Sequence, residues 1–258
     1  MKRVVGYMSE ESKLTKTQQK RLAKRERIRA KYMREKEETK KARVEEDPLK
    51  WGQRQERNAM MRCDFESYCD RGPTVIIDCG WDDGMMTDKE ILSLTQQIMY
   101  SYSVNKKAKR PVKLCVYGVN QRQIELLRNL PGFDSWYIRL SSEPMVKFND
   151  ILERGVYLTA DTENVLDLQC GSTNDILVIG GIVDRNRYKN ATVLKAEAIG
   201  MRAAQLPIGE LMKMKSSKVL AVNHVFEILT EFFDHGDWPR ALEKVIPDRK
   251  KLAYDSLE

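Results

Sequence analysis

Short apolar runs alternate with helical patterns along most of the chain. Apolar segments such as TVIID at 74–78, VKLCVYG at 112–118 and DILVIGG at 175–181 predict buried strands. Residues 88–105 instead place apolar side chains at helical spacing and predict an amphipathic helix. Strands separated by helices are typical of a mostly parallel sheet with both faces covered. The pattern therefore predicts an α/β domain over residues 70–250.

The same patterns predict the remaining elements of this domain. Further strands are expected at SWYIRL (135–140), GVYLTA (155–160) and AAQLPI (203–208). Further helices are expected at 121–129, at 161–168, at 192–199 and at 220–233. No internal repeat or low-complexity tract interrupts the domain.

The first 60 residues differ in pattern and are expected to form a basic helical extension. Residues 13–43 contain 14 Lys and Arg, 4 Asp and Glu, no glycine and no proline, which favours a long solvated helix. Their apolar residues are too sparse for a coiled-coil seam. The helix either contacts only water or lies along a nucleic-acid backbone, and a nuclear import signal is a further possibility. Candidate phosphate contacts in it are Lys20, Arg21, Lys24 and Arg25.

Charge is distributed unevenly between these two parts. The chain has a formal net charge of +7. Residues 1–50 carry 17 Lys and Arg against 9 Asp and Glu, whereas residues 51–258 carry 28 against 29. The positive excess thus belongs to the N-terminal part, and such asymmetry indicates a polyanionic partner.

Several classes of protein are disfavoured. No window approaches the roughly 18 apolar residues of a membrane span, and no apolar signal stretch precedes the first charges. Glu10 and Glu11 stand where a mitochondrial transit peptide avoids acids, so we expect the protein in the nucleus, the cytoplasm or both. The five cysteines form no CxxC pair and only two histidines are present. No metal site is therefore expected, and the thiols should be reduced and mostly buried.

Three loops that follow predicted strands are candidates for a ligand site. They read YLTADT, IGGIVDRN and QLPIGE, and ligands of open parallel sheets bind beyond the carboxyl ends of the strands. Gly180 and Gly181 would let the backbone approach a ligand closely, and Pro207 would stiffen a turn, although a plain turn explains each loop equally well. No G-x-G-x-x-G follows the first strand and no P-loop is present, which disfavours a nucleotide-binding Rossmann domain.

Six segments at compatible spacing carry a resemblance to a known family. They include DCGWDDGMMTDKEILSLTQQIMY, VYLTADTENVL, VIGGIVDRNRYKN, AQLPIGELMKM, KVLAVNHVFEIL and DWPRALEKVIPDRK. Together they resemble the eukaryotic tRNA (guanine-9-N1)-methyltransferases of the SPOUT superfamily over residues 70–250. The resemblance implies a C-terminal trefoil knot near residues 180–224. It also implies S-adenosylmethionine as cofactor, tRNA as partner and action as a monomer.

The resemblance also implies site residues. The cofactor would be bound by Leu158, Thr159, Gly180, Gly181, Asp184, Leu206, Pro207, Ile208, Val219, Leu220 and Asn223. The apolar helix face formed by Val225, Ile228 and Leu229 would close the pocket from below. His224 either has a chemical role or is a satisfied, partly buried histidine.

Asp184 is the candidate catalytic residue that the resemblance implies. Guanine N1 carries a proton at neutral pH, and a carboxylate within hydrogen-bond reach can accept it as the methyl arrives. Because an ordinary Asp has a pKa of about 3.9, either burial raises that value or Asp184 mainly orients N1–H. Gln97 and Asp78 are the other candidates near the base, with a surface glutamine and a turn cap as their alternatives.

The basic segment behind Asp184 is the remaining candidate. Arg185, Arg187 and Lys189 would hold tRNA phosphates, or they form a solvated loop. A catalytic domain with a charge near zero would not hold a tRNA alone. We therefore expect the N-terminal helix to bind the tRNA. We expect methylation of N1 of guanine 9, with two alternatives: methylation of adenine 9, or a non-catalytic tRNA-binding subunit of a processing complex.

Overall fold

The computed structural model describes residues 16–44, 48–168, 176–185, 187–215 and 217–251. Contacts divide the chain into two units, Met1–Met60 and Met61–Glu258. The second unit contains every strand and the candidate site.

Two long helices precede the first strand. α1 spans Lys16–Val44, where the sequence predicts a helix. α2 spans Pro48–Arg71: its residues up to 60 belong to the expected helical extension, whereas its continuation from 61 to 71 is not predicted, because the few apolar residues there form no regular stripe. A helix without an apolar stripe gives no periodic signal. Near its end, Cys69, which belongs to the second unit, is buried.

A six-stranded parallel sheet forms the centre of the second unit. Its strands are β1 Thr74–Asp78, β2 Lys113–Tyr117, β3 Arg139–Ser141, β4 Gly155–Leu158, β5 Ile176–Gly180 and β6 Arg202–Ala204. Their order across the sheet is β3-β2-β1-β5-β4-β6, and every neighbouring pair is parallel. The order changes direction between β1 and β5, which is where ligands of such sheets bind.

Helices cover both faces of this sheet. They are α3 Asp88–Asn105, α4 Gln121–Arg128, α5 Asn149–Arg154, α6 Ala191–Ala198, α7 Ile208–Leu211, α8 Val222–His235 and α9 Trp238–Val245. α3 begins with a capping box between Thr87 and Glu90, and α8 ends at Gly236, whose φ of 69° only glycine adopts readily. The α/β architecture predicted from the sequence is confirmed.

Successive residues of the central strands enter two different cores. Val75 and Ile77 pack in the core shared with α3, α4, α8 and α9, whereas Ile76 packs in the core shared with α5 and α6. Side chains alternate across a strand, so burial of both faces requires an uninterrupted apolar run. Each fully buried side chain of this kind contributes roughly 1.5–3 kcal/mol.

Three predicted elements differ from the structure. The strand expected at 203–208 is confined to Arg202–Ala204, and Ile208 already begins α7. Residues 161–168 are not helical: Asn164 O accepts from Gln205 N at 2.7 Å and Leu166 N donates to Gln205 O at 2.8 Å. The segment satisfies its backbone against the end of β6 instead of within a helix. The third strand begins only at Arg139, because Phe133–Ser135 forms a 3₁₀ turn before it.

Candidate active site

A cleft opens beyond the carboxyl ends of β4 and β5, beside the chain that follows β6. The cleft is open to solvent, and its empty space, including that opening, is about 900 Å³. The lining consists of Leu158, Thr159, Ala160 and Asp161 after β4, of Ile179, Gly180, Ile182, Asp184, Tyr188, Ala191 and Thr192 around the loop after β5, and of Gln205, Leu206, Ile208, Lys218, Val219, Leu220, Val222 and Val225 after β6. Three separate loops thus meet at one edge of the sheet.

One side of the cleft is held together by hydroxyl groups. Thr192 Oγ1 donates to Thr159 Oγ1 at 2.7 Å, and Thr159 Oγ1 also accepts from Asp161 N at 3.2 Å. Thr159 is buried. These contacts join the start of α6 to the end of β4, so the loops on either side keep a fixed spacing.

Asp184 lies on the wall of the cleft, in the turn that follows β5. Its carboxylate Oδ2 accepts from Tyr188 N at 2.9 Å, and its carbonyl accepts from Arg187 N at 3.2 Å. Within the turn, Arg185 has a φ of 54°, which few non-glycine residues adopt. The turn therefore fixes the direction of a partly exposed carboxylate.

Arg187 contacts the start of α3. Its guanidinium donates from Nη1 to Glu90 Oε1 at 2.9 Å and from Nη2 to Glu90 Oε2 at 3.0 Å, and Nη2 also donates to Met85 O at 3.0 Å. The sequence predicts that this residue contacts phosphate. In the structure its guanidinium is instead paired with a carboxylate.

Gly180 and Gly181 are required by packing within the protein. A Cβ on Gly181 would lie 2.8 Å from the carbonyl oxygen of Asp78 and 3.0 Å from Cys79 Sγ. A Cβ on Gly180 would lie 2.7 Å from Thr192 Cγ2. Gly180 lines the cleft, but the close approach that demands Gly181 is to β1 and not to a ligand.

Asp78 is buried beneath the cleft at the end of β1. Its Oδ2 accepts from the Tyr157 hydroxyl at 2.8 Å and lies 2.6 Å from Lys195 Nζ, while Oδ1 accepts from Gly80 N at 3.0 Å. Burial raises the pKa of Tyr157 well above its ordinary value, so its hydroxyl stays protonated and donates. The bond to Gly80 N is the turn cap that the sequence analysis gives as the alternative for Asp78.

Gln97 supports the start of α8. Its side-chain Oε1 accepts from Val222 N at 2.9 Å, and Nε2 donates to Ser93 Oγ at 3.3 Å. The first N–H groups of a helix have no partner within it, and Gln97 supplies one. Neither Gln97 nor Asp78 is among the described residues that line the cleft. The geometry therefore favours a structural role over the catalytic one predicted for both.

Most residues predicted to bind a cofactor meet at the cleft. The predicted residues that line it are Leu158, Thr159, Gly180, Asp184, Leu206, Ile208, Val219 and Leu220. Gly181, Pro207 and Asn223 are not among the described lining residues. Of the apolar face of α8, Val225 lines the cleft, whereas Ile228 and Leu229 are fully buried in the core.

Part of the lining is not predicted from the sequence. The missed side chains with polar groups include Asp161, Tyr188, Thr192, Gln205 and Lys218. Asp161 belongs to the loop YLTADT, so the strand-end rule that selects this loop also points to its carboxylate. Lys218 gives no such signal, because its position depends on how the chain returns after β6.

Basic residues lie both in α1 and beside the cleft. In α1, Lys20 and Lys24 are exposed, while the side chains of Arg21 and Arg25 are outside the described set. Arg185 and Lys189 are exposed on the loop after β5. Lys215 N donates to Lys250 O at 2.8 Å and places the chain after α7 next to the C-terminal turn.

This contact creates a positive surface that the sequence analysis does not predict. Lys213, Lys215, Lys218 and Arg249 are exposed there, and we call these four residues the basic rim. Lys218 also lines the cleft. A total charge near zero over residues 51–258 hides this clustering, so the second unit has a positive surface of its own.

The surroundings of His224 and of the described cysteines favour structural roles. Burial, followed by the charges of Lys250 and Arg249, lowers the pKa of His224 below its ordinary 6.5, so the ring is neutral at pH 7. His224 is not among the described lining residues. Cys69, Cys79 and Cys115 are buried free thiols, Cys63 is exposed, and Cys170 lies outside the described residues. Burial raises the pKa of Cys115 to about 11.

The described part of the chain contains no candidate metal centre and no candidate membrane span. Among the described residues, no group of three or more His, Cys, Asp or Glu side chains is arranged to hold a metal ion. None of the described helices combines the length and apolar character needed to cross a bilayer.

Fold and cleft together define a class: an open parallel α/β domain whose ligand site lies at the carboxyl edge of the sheet. Residues 9–251 match the family described as tRNA (guanine(9)-N(1))-methyltransferase TRM10/TRM10A. The chain therefore belongs to that family, as the resemblance indicated.

Individual relatives agree with this assignment. The tRNA (guanine(9)-N1)-methyltransferase of Debaryomyces hansenii is 36% identical over 204 residues, covering 74% of this chain and 56% of the relative. The tRNA methyltransferase 10 homolog A of Rattus norvegicus is 42% identical over 183 residues, covering 68% of this chain and 52% of the relative. The chain thus spans little more than half the length of these curated relatives. A crystal structure of full-length spTrm10 in complex with SAH superposes with a TM-score of 0.61 at 37% identity, covering 69% of this chain and 95% of that one.

Proposed function

We propose that the protein transfers a methyl group from S-adenosylmethionine to N1 of guanine 9 of tRNA and releases S-adenosylhomocysteine. The observation that carries the proposal is the position of Asp184, a carboxylate on the wall of a cleft formed by three strand-end loops. The names of the relatives supply the reaction and the substrate, and the crystal structure with SAH supplies the kind of cofactor.

The cleft has the chemistry that this cofactor needs. Leu158, Leu206 and Leu220 provide apolar walls for an adenine ring, while Asp161 and Gln205 provide polar groups for hydroxyls. A site with few placed polar groups among apolar ones binds and orients such a ligand. When bound, S-adenosylmethionine supplies the electrophilic methyl group.

In this proposal Asp184 handles the proton of the target base. The bond from guanine N1 to the methyl carbon forms as the bond from that carbon to the cofactor's sulfur breaks, and the N1–H proton passes to the carboxylate. Tyr188 N already donates to Oδ2, so the carboxylate is held in one direction before the substrate arrives. Preorganisation of this kind lowers the cost of reaching the reactive geometry.

Two positive surfaces would bind the tRNA. The exposed Lys20 and Lys24 of α1 and the basic rim beside the cleft both offer cations to phosphates. Because position 9 lies in the folded core of tRNA, the base has to leave its stack to reach the cleft. We further propose that the protein acts as a monomer in the nucleus, the cytoplasm or both.

The trefoil knot belongs to the same proposal and rests on family membership. In it, the chain threads a loop near residues 180–224. The meeting of the loop after β5 and the chain after β6 at one cleft supports this path. An experimental structure with continuous density from residue 165 to residue 224 tests it, and an unthreaded path would refute it.

The proposed reaction is tested with a tRNA transcript that carries guanine at position 9. After incubation with S-adenosylmethionine, nucleoside mass spectrometry should detect 1-methylguanosine, and a transcript with cytosine at position 9 should yield none. Calorimetric titration with S-adenosylhomocysteine should detect binding. Cofactor binding without any product, on active wild-type protein and folded tRNA, would reject the proposed activity, and absence of cofactor binding would favour a non-catalytic tRNA-binding subunit.

A further inference from the structure

Arg187 binds Glu90 through both nitrogens of its guanidinium fork. The two N–O distances are 2.9 and 3.0 Å, and Nη2 donates in addition to Met85 O at 3.0 Å. The partners are 97 positions apart in sequence. Two parallel hydrogen bonds fix direction as well as distance, which a single lysine ammonium cannot do.

Glu90 is itself fixed on the first turn of α3. Its Oε2 accepts from Thr87 N at 2.9 Å and from Thr87 Oγ1 at 3.0 Å, and its side chain is 11% exposed. With Arg187, these donors lower the pKa of Glu90 to about 2, so the carboxylate is charged throughout the physiological range. Arg187 is therefore attached to a rigid helix start.

The backbone next to Arg187 holds the Asp184 carboxylate. Arg187 N donates to Asp184 O at 3.2 Å, and the adjacent Tyr188 N donates to Asp184 Oδ2 at 2.9 Å. On the other side of Asp184, Val183 N contacts Met86 Sδ at 3.4 Å. The turn that presents Asp184 is thus bound to residues 85–90 on both sides.

We propose that Arg187 is a positioning residue: its fork on Glu90 fixes the turn that directs the Asp184 carboxylate into the cleft, and it is not a phosphate contact. The proposal rests on the proposed function, because the position of Asp184 affects the reaction only if its carboxylate meets the target base. It reverses the role that the sequence alone predicts for Arg187.

A positioning role can be distinguished from a role in stability by the effect of losing the Arg187–Glu90 pair. The Arg187 side chain is 45% exposed, and Glu90, although only 11% exposed, keeps both donors from Thr87 when the pair is lost. Loss of the pair should therefore lower the melting temperature by only a few degrees. A misplaced carboxylate, by contrast, strongly reduces a rate that depends on alignment.

The test compares Arg187→Lys, Glu90→Gln and Lys189→Ala. The first keeps the positive charge but loses the fork, and the second keeps the acceptor for Thr87 but loses the charge. Both should lower the single-turnover methylation rate at saturating protein and cofactor by at least about tenfold. Their tRNA dissociation constants should stay within about twofold of wild type. Lys189→Ala removes an exposed cation of the same loop and should instead weaken tRNA binding and flatten its salt dependence.

Glu90→Gln distinguishes the two roles of Arg187 most sharply. If Arg187 contacted phosphate, removal of the competing carboxylate would tighten tRNA binding and preserve the rate. That result, or wild-type rates in both variants, overturns the proposal. Rescue of the rate by Arg187→Lys relative to Arg187→Ala would also overturn it, since charge alone would then suffice.

Hydrogen–deuterium exchange of the peptide over residues 181–190 provides a readout that is independent of catalysis. The Tyr188 amide should exchange faster in Arg187→Lys and in Glu90→Gln than in wild type, while Lys189→Ala should leave it unchanged. If wild-type protein forms no methylguanosine, the proposed function fails. The exchange data then still decide whether Arg187 and Glu90 fix the turn, and unchanged exchange refutes that they do.

Discussion

Replacing Lys195 by Met should destabilise the second unit more than any ordinary surface change. Lys195 Nζ lies 2.6 Å from Asp78 Oδ2, whose side chain is 2% exposed, and it also donates to Gly80 O. The ammonium stands 4.2 Å from the centre of the Trp81 ring. Methionine has a similar length but no charge, so the substitution leaves a buried carboxylate without its cation.

The cost follows from these contacts. Removing one partner of a buried ion pair typically costs about 3–5 kcal/mol. Here Lys195 is 19% exposed, and Asp78 retains the Tyr157 hydroxyl and Gly80 N as donors, so the lower end applies. We expect a loss of about 3 kcal/mol in the free energy of unfolding. For a unit of this size that corresponds to a fall in melting temperature of roughly 6–12 °C.

Urea unfolding followed by circular dichroism measures this loss. The same substitution at Lys147, whose pair with Glu143 is exposed, is the control and should change stability by less than about 0.5 kcal/mol. The double variant Asp78→Asn/Lys195→Met removes both charges and should recover at least half of the loss. A cost below about 1 kcal/mol for Lys195→Met would refute the reasoning, since the pair would then behave as a surface pair.

Four further predictions follow from the structure. Asp184→Asn should lower methylation of a guanine-9 transcript by about 10²–10³-fold and spare any activity on an adenine-9 transcript, because adenine N1 has no proton to lose; equal losses would contradict the base role. Deletion of residues 1–47 should weaken tRNA binding and flatten its salt dependence while S-adenosylhomocysteine affinity, measured by calorimetry, persists; an unchanged salt slope would contradict this. Gly181→Ala should cost about 1–3 kcal/mol in urea unfolding, since the new Cβ meets backbone at 2.8 Å, whereas Gly52→Ala, with open space around it, should not destabilise. The pKa of His224 is lowered in the folded state, so the unfolded state binds a proton first as the pH falls. The free energy of unfolding should therefore decrease as the pH drops below 6.5, and the decrease should be smaller in His224→Asn. Identical pH profiles of the two proteins would exclude His224 as the source of the decrease.

The sheet could be predicted from the sequence because both of its faces are covered. Burial of Val75, Ile76 and Ile77 on alternating faces needs an apolar run, and such a run is visible without any structure. The second half of α2, residues 61–71, could not be predicted, because its few apolar residues form no regular stripe. The mistaken helix at 161–168 has a non-local cause: its backbone bonds to Gln205, and no local pattern reports that partner.

Some residues of the candidate site could likewise be predicted from the sequence, and others could not. Asp184 follows β5 and Leu158 ends β4, so the strand-end rule leads to their loops and the family resemblance leads to the residues themselves. Gln97 bonds to Val222 and Arg187 to Glu90, and these partners meet only after α8 and the loop after β5 have packed on α3. The basic rim likewise depends on the C-terminal turn returning beside Lys215. Roles that rest on contacts between distant segments cannot be derived from spacing.

The central position of β5 has a consequence for how the protein is made. β1 hydrogen-bonds to β2 on one side and to β5 on the other, although everything from α3 to β4 lies between β1 and β5 in sequence. During synthesis, β1, β2 and β3 can pair early, but one edge of β1 stays unpaired until Gly180 has left the ribosome. An open apolar strand edge is a template for aggregation. Premature termination before β5 should therefore yield an insoluble fragment. Pausing of the ribosome between β1 and β5 would prolong the exposure of the unpaired edge of β1.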